Sequence, residues 1–496
     1  MDQYLRLPPP YVLYAIFASI GGFIFGFDTG SIGPITLMRP FQRSFGVLSP
    51  TMQGLLVSSI LLSGALASFF AGWLSDRLSR TYSISLGATV FAVGAALCAS
   101  AHTLAQLFVG RLVCGAGEGV FISCVAVYVL EIAPVRIRGT VACILQLFIT
   151  LGIMIGYFVC YGCLQVTTSM AWRTPFVMQT VFAVVLALGS PYIAHSPRWL
   201  LLRGRRPEAA RTLVKLGIGE TEREELMQHA LNPDEKAGGY RAAWGKDVRG
   251  RTALAATQNL SGIDGVLYYA PVLFRQAGLE AEKAAFLASA ITGVVNVVFT
   301  AVAQIFADKW GRRPTLIVGG LLMAVPMTAI GAIYAHPTAS TTHGGQYTVI
   351  ALIMAYFIAF IMSWAILMRI HVSEAQPVRT RASVSSLAQC ANWVVNWVVA
   401  FSTPMFLDKS PSGPYFLWAA SIWVAVAVMA VYLPETRGRE MEQFDGKVNS
   451  SLGRWVKGLM ERRMKKGTTS PRPTPTTHMD KTKEETDVIR YHQCYV

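Results

Sequence analysis

What this chain lacks narrows its class before any motif is read. Only 14% of its 496 residues are charged, against 53% hydrophobic. That balance excludes an ordinary soluble globular protein of this size. The eight cysteines are scattered without metal-ligand spacing, so neither a metal site nor a disulfide framework is implied. Cys160 and Cys163 share a helix face and read as small packing residues. No nucleophile–base or metal-ligating constellation stands out, which argues against an enzyme, and no cofactor is expected. Acidic residues are the scarcer charge, 28 against 43 Lys and Arg, for a net charge of +15. The excess does not point to nucleic acid, because the positive charges gather in alternate connections between apolar runs.

Twelve such runs reach membrane-spanning length. The first six cover Tyr11–Leu37, Gln53–Leu74, Tyr82–Ala101, Gln106–Leu130, Thr140–Leu164 and Pro175–Ala194. After a polar insert the rest cover Thr252–Phe274, Ala284–Ala307, Thr315–Ala335, Tyr347–Val372, Ala382–Phe406 and Pro414–Leu433. Placing both chain ends in the cytoplasm puts most Lys and Arg on that side, as the positive-inside rule requires. The first run is too long for a signal-peptide core and carries Asp28. The expected organisation is therefore a cytoplasmic N-terminus (1–10), a six-helix bundle (11–195), a cytoplasmic helical linker (196–251), a second six-helix bundle (252–433) and a cytoplasmic tail (434–496). The fold class expected is an all-α membrane protein of twelve transmembrane helices in two bundles.

The linker holds Pro207-Glu208-Ala209-Ala210-Arg211, a helix start with proline in the first turn. In the tail, Arg462, Arg463, Lys465 and Lys466 form a basic cluster suited to anionic membrane lipid, or simply a solvated end. The Pro- and Thr-rich stretch Thr468–Thr477 has the composition of a disordered segment. Gly22, Gly26 and Gly30 lie four apart on one helix face, and Gly115, Gly117 and Gly119 follow Arg111. Both sets suit close helix packing.

A charged pattern occurs twice at matching places. Asp76-Arg77-Leu78-Ser79-Arg80 is answered by Asp308-Lys309-Trp310-Gly311-Arg312-Arg313. Glu131-Ile132-Ala133-Pro134 with Arg136 and Arg138 is answered by Glu374-Ala375-Gln376-Pro377 with Arg379 and Arg381. Such an echo is expected of an internally duplicated transporter. Carboxylates and guanidinium groups at facing helix ends can form ion pairs. Asp76, Arg77, Arg80, Glu131, Arg138, Asp308, Arg312, Arg313, Glu374 and Arg381 are thus candidates for a gate that joins the bundles and breaks when they rock. The first copy should be the weaker, because Ser79 and Thr81 stand where the second keeps Gly311 and Arg313.

With these motifs the chain resembles the sugar porters of the major facilitator superfamily, in the manner of a fungal-type hexose or quinate-like member. The marks run in order from Gly26-Phe27-Asp28-Thr29-Gly30 through Gly110-Arg111, Tyr128, Trp172-Arg173 and Ser196-Pro197-Arg198-Trp199-Leu200. They continue with Gln258, Gly262, Tyr268-Tyr269, Asn392-Trp393 with Asn396, and Pro434-Glu435-Thr436-Arg437-Gly438. The resemblance implies a multi-pass protein, expected in the plasma membrane. Its expected partners are a small solute (sugar, polyol or sugar acid), a proton and membrane lipid. It further implies that Gln146, Gln258, Asn296 and Asn396 build the solute site, where amides offer hydroxyls both donors and acceptors. Asp28 and Arg111 match positions that face each other in proton-coupled members. A buried Asp beside a mobile Arg can take up a proton; a purely structural salt bridge is the alternative.

The likeness breaks inside that site. Asn259 replaces a second glutamine, Asp264 an asparagine, and Arg369 the tryptophan that stacks on the sugar ring. Ala365-Ile366 replaces a helix-breaking Gly-Pro, Ala126 a proline, and His195 the Glu of a Pro-Glu-Ser-Pro-Arg motif. Three readings of Arg369 follow: it grips an anionic substrate group, it pairs with Asp264, or it snorkels toward the membrane surface. A second functional class stays open, a sensor that binds sugar and signals through its tail.

Overall fold

The computed structural model describes residues 9–134, 137–229, 258–279, 281–306, 311–336, 342–368 and 381–432. At positions 138, 139, 142, 228, 229, 282, 312, 381–388 and 432 it describes the backbone course alone. Asp308, Arg369 and Glu374 lie outside the described residues, as do the basic tail cluster and the Pro/Thr-rich stretch. The side chains of Arg138, Arg312 and Arg381 also fall outside the description.

Among the described residues all regular structure is helical, and eleven helices are long and apolar enough to cross a membrane. Span 1 is Pro10–Ala18 and Ile20–Leu37, joined at Ser19, whose hydroxyl donates back to the Ala15 carbonyl at 2.7 Å. Spans 2 to 6 are Pro50–Leu78, Arg80–Ala99, Leu104–Ile132, Arg138–Cys163 and Met170–Gly189. The starts of spans 2 and 4 are capped by the hydroxyls of Ser49 and Thr103. Three short helices follow span 6: Pro197–Leu202, Arg206–Lys215 and Glu220–His229.

Span 7 is where sequence and structure differ most. A continuous run was expected over Thr252–Phe274. Among the described residues the structure shows helix over 258–260 and then two short helices, Ile263–Tyr268 and Ala270–Gln276, parted at Tyr269. Gly262 starts the first at φ +85°, beneath the Trp418 ring, where a side chain would have no space. With this broken span the count reaches twelve, the remainder being Glu282–Phe306, Arg312–Ala335, His343–Met362, Arg381–Lys409 and Gly413–Tyr432. Span 10 also breaks, at Ser363, before helix resumes over 364–368. It does so two residues before Ala365-Ile366, the positions that lack the helix-breaking pair.

Small residues set the helix spacing. Side chains at Gly26 and Gly30 would collide with the Ile149 and Ile153 carbonyls of span 5. The second glycine set does not share one face. Gly115 and Gly119 lie against span 2, whereas Gly117 lies against span 3, because alternate residues of a helix point about 200° apart. Among the described residues the halves touch at several places. Gly33 of span 1 meets the Tyr268 carbonyl of span 7, Gly54 of span 2 meets the Phe401 carbonyl of span 11, and Gly293 of span 8 meets Met154 of span 5. Tyr157 donates to the Leu267 carbonyl, and Gln304 to the Cys143 carbonyl at 2.8 Å.

Ser79, between spans 2 and 3, holds φ +132° and ψ 164°. This region suits glycine almost exclusively and costs another residue about 1–3 kcal/mol. Ser79 offsets part of that by accepting the Tyr82 N–H as the cap of span 3, a bond whose loss to glycine costs only about a few tenths of a kcal/mol. Ser79→Gly should therefore stabilise the protein by about 0.5–2 kcal/mol, and Ser79→Ala should destabilise it. Thermal unfolding of the purified protein checks both; a Gly variant less stable than wild type would contradict the strain.

Candidate functional site

Between the bundles lies a cavity of about 680 Å³, part of it open to solvent. Its polar wall brings together Gln146 of span 5, Gln258, Asn259 and Asp264 from the span 7 region, Asn296 of span 8 and Asn396 of span 11. Each is a residue the sequence nominated for the site. Their amides are committed unequally. Asn259 donates to the Asn392 carbonyl at 2.9 Å and Gln258 to the Trp364 carbonyl at 3.3 Å, so both also tie helices together. Asn396 Oδ1 is buried without a partner among the described residues. An orphaned acceptor on a cavity wall suits an incoming hydroxyl. Phe25, Phe357 and Phe360 also line it, so apolar ring surface is present although tryptophan is missing at position 369.

A second, dry site adjoins the first. Thr29 lines the cavity, and its neighbour Asp28 points away from it into span 4. There Arg111 Nη1 donates to Asp28 Oδ1 at 2.5 Å, with both side chains at most 3% exposed. Arg111 Nη2 donates to the Val57 carbonyl of span 2 at 2.9 Å. Gln179 of span 6 donates to Asp28 Oδ1 at 3.2 Å and to the Ser31 hydroxyl at 3.3 Å. Two members of this site escaped sequence reasoning. Gln179 sits in a span where one amide carries no pattern. Glu118, buried on span 4, was overlooked among glycines read for packing. A carboxylate in the middle of a membrane helix was the signal available.

The third cluster is the junction of spans 2 and 3. Arg80 reaches Asp76 Oδ1 at 2.7 Å and grips Glu131 of span 4 with two bonds of 3.0 and 3.2 Å. These pairs stay inside the first bundle. One guanidinium faces both carboxylates at three adjacent helix ends; the residues expected to answer them from the second half, Asp308, Arg312, Glu374 and Arg381, have no described side chains. Arg77 instead lies over the Trp73 ring, at 5.5 Å. In the second half, Arg313 of span 9 donates to the Ala430 carbonyl of span 12 at 2.6 Å. The Ser196-Pro197-Arg198-Trp199-Leu200 motif packs on the first junction: Trp199 Nε1 donates to the Asp76 carbonyl at 2.9 Å, and Arg203 to the Asp76 and Arg77 carbonyls. Tyr128 reaches the Ala194 carbonyl at 2.8 Å.

His195, in place of an acid, shares a hydrogen bond of 2.9 Å with Thr81. Burial, with help from nearby Arg205, holds its pKa below the ordinary 6.5. The unfolded chain therefore protonates first on acidification. The stability this contact adds is complete above about pH 6.5 and is lost as pH falls toward the lowered folded value. Between about pH 7.5 and 5.5 the wild-type melting midpoint should fall further than that of His195→Gln; equal falls would contradict the assignment.

Comparison with known proteins matches this architecture. Residues 14–447 match the family model of the "Sugar (and other) transporter" proteins. The sugar transport protein MST4 of rice, Oryza sativa subsp. japonica, is 30% identical over 476 residues, covering 89% of this chain and 91% of that protein. The arabinose-proton symporter of Bacillus subtilis is 29% identical over 450 residues, 88% of this chain and 94% of the relative. Among solved structures, the proton:xylose symporter XylE bound to 6-bromo-6-deoxy-D-glucose superposes with a TM-score of 0.76 at 26% identity, over 88% of this chain and 98% of the other. A partially occluded inward-open form of XylE from E. coli gives 0.74 at 25% identity, over 87% and 99%. The chain belongs to the sugar (and other) transporter family, with the twelve-helix major facilitator fold.

Proposed function

We propose that this protein is a secondary active transporter, not an enzyme, that moves a small polyhydroxylated solute together with a proton. The observation that carries the reading is one helix with two faces. Thr29 of span 1 touches the amide-lined cavity, and Asp28 beside it closes the buried pair with Arg111. A solute filling the cavity pushes on the backbone that holds the carboxylate. When Asp28 takes a proton, its charge and its hold on Arg111 are lost together. Alternating access follows from rocking of one bundle against the other about the cavity. Arg80, Asp76 and Glu131 hold one end of the first bundle rigid during that movement, with the short helix at Pro197–Leu202 braced on them. Their counterparts Asp308, Arg312, Arg313, Glu374 and Arg381, with Arg138, are assigned the matching role.

Positive charge on alternate connections supports cytoplasmic placement of both termini, with residues 196–251 as a cytoplasmic linker between the two bundles. The plasma membrane is the assigned location, and the basic tail cluster is assigned to its anionic lipid. The solute is a neutral sugar or polyol if Arg369 is spent on Asp264 or on the membrane surface, and a sugar acid if Arg369 faces the cavity.

Uptake into liposomes by the purified protein tests this, with D-xylose, L-arabinose, D-glucose and D-glucuronate as probes. A one-unit inward pH gradient supplies about 1.4 kcal/mol, so one proton per solute allows about tenfold accumulation. Accumulation should vanish with an uncoupler and in Asp28→Asn. Solute that only equilibrates, with or without the gradient, would overturn proton coupling. Arg369→Trp should abolish glucuronate uptake if Arg369 reads an anion; unchanged uptake of the acid removes that role.

A further inference from the structure

Glu118 has no part in the mechanism above, yet it is 1% exposed and its Oε1 has no hydrogen-bond partner among the described residues. It follows Arg111 by two helical turns, and therefore shares its face of span 4. Gly115 and Gly119 pack on span 2 to one side of that face, and Gly117 on span 3 to the other. What remains is the direction of span 1, where Gly21 meets Phe121 and Val125 of span 4. The titratable groups acting on Glu118 are Asp28 of span 1, Arg111 of its own span and Tyr268 of span 7.

The pocket therefore contains one guanidinium and two carboxyl groups. If both carboxyls were ionised, the cluster would carry one surplus negative charge in a place closed to water. Arg111 spends Nη1 on Asp28 and Nη2 on the Val57 carbonyl, leaving Nε without a partner among the described residues. It thus neutralises one carboxylate at a time. A second carboxyl, buried and without a hydrogen bond to its Oε1, is far better tolerated as the neutral acid.

We propose that Glu118 holds a resident proton and is the alternate partner of Arg111. When Asp28 is ionised and bound to Arg111, Glu118 is the neutral acid. When Asp28 is neutral, Glu118 is ionised and takes the guanidinium. In passing between these states an O–H bond at Glu118 breaks and one at Asp28 forms, while an Arg111 hydrogen bond moves the opposite way. Atoms balance, and the cluster stays at zero net charge in both arrangements. Arg111 is never left buried and unpaired, which is what a lone Asp–Arg pair would require midway through the cycle. Glu118 is a proton-holding residue in this scheme: a proton is transported when Asp28 releases the one it received to one side and Glu118 is reprotonated from the other. The exchange rests on the proton-coupled reading, but its test needs no transported solute, so the two can fail separately.

Infrared spectroscopy of the full-length protein in liposomes at neutral pH reads the protonated-carboxyl stretch directly. The wild type should show this band. Glu118→Gln, close in size and shape, should remove it, whereas Asp264→Asn should leave it. In Asp28→Asn the band should also vanish, because Glu118 then ionises to meet Arg111. A wild-type spectrum without the band overturns the resident proton, and that result does not depend on any variant folding. A band that survives Glu118→Gln overturns the assignment to Glu118. A band that survives Asp28→Asn, with Glu118→Gln still removing it, overturns the exchange of partners.

Discussion

A guanidinium and a carboxylate sealed from water between four helices organise this molecule. Arg111 of span 4 holds Asp28 of span 1 and the Val57 carbonyl of span 2, and Gln179 of span 6 steadies the same carboxylate. Buried ion pairs rarely repay their desolvation, so such a pair is weak evidence of selection for stability. It is a well-suited switch. Its two states differ by one proton, and the cost of leaving either charge unpaired makes intermediate states unfavourable. Spans 1 and 5 pack backbone against backbone at Gly26 and Gly30, so a movement of span 1 is felt directly by span 5.

The solute cavity and the charged junction occupy the two sides of this switch. The cavity shares span 1 with it, one residue away. The junction shares span 4, at whose far end Glu131 is gripped by Arg80. Bidentate, charge-assisted bonds of this kind fix orientation as well as distance. The first bundle is thus held at one end and mobile near its middle. The described ion pairs stiffen a bundle where the sequence suggested that they latch two bundles together. The strained Ser79, held at the junction at a glycine-like angle, indicates how tightly spans 2 and 3 must turn to bring Arg80 to both carboxylates.

Much of this was legible in the sequence for physical reasons. Membrane spans announce themselves by composition, and amides or charges inside them are costly enough to mark function. Gln146, Gln258, Asn296 and Asn396, which the resemblance to the sugar porters implies for the solute site, are found around one cavity. What escaped depends on direction, which composition does not carry. Glu118 was hidden by glycines that explain themselves through packing. The break of span 10 at Ser363 was invisible because it arises where Gly319 lets Ser363 press against span 9, not from a local breaker. Arg80 could be expected to pair, but choosing its partner required knowing which helix ends converge.

The central claim is that Asp28 and Arg111 act as one unit. A double-mutant cycle on thermal unfolding tests it most directly, comparing Asp28→Asn, Arg111→Gln and the double variant with wild type. Removing one partner from a buried pair costs about 3–5 kcal/mol. The account predicts that Arg111→Gln melts well below wild type, that Asp28→Asn loses less because Glu118 takes the guanidinium, and that the double variant loses less than the sum, by about 0.5–3 kcal/mol. Strictly additive losses would contradict it.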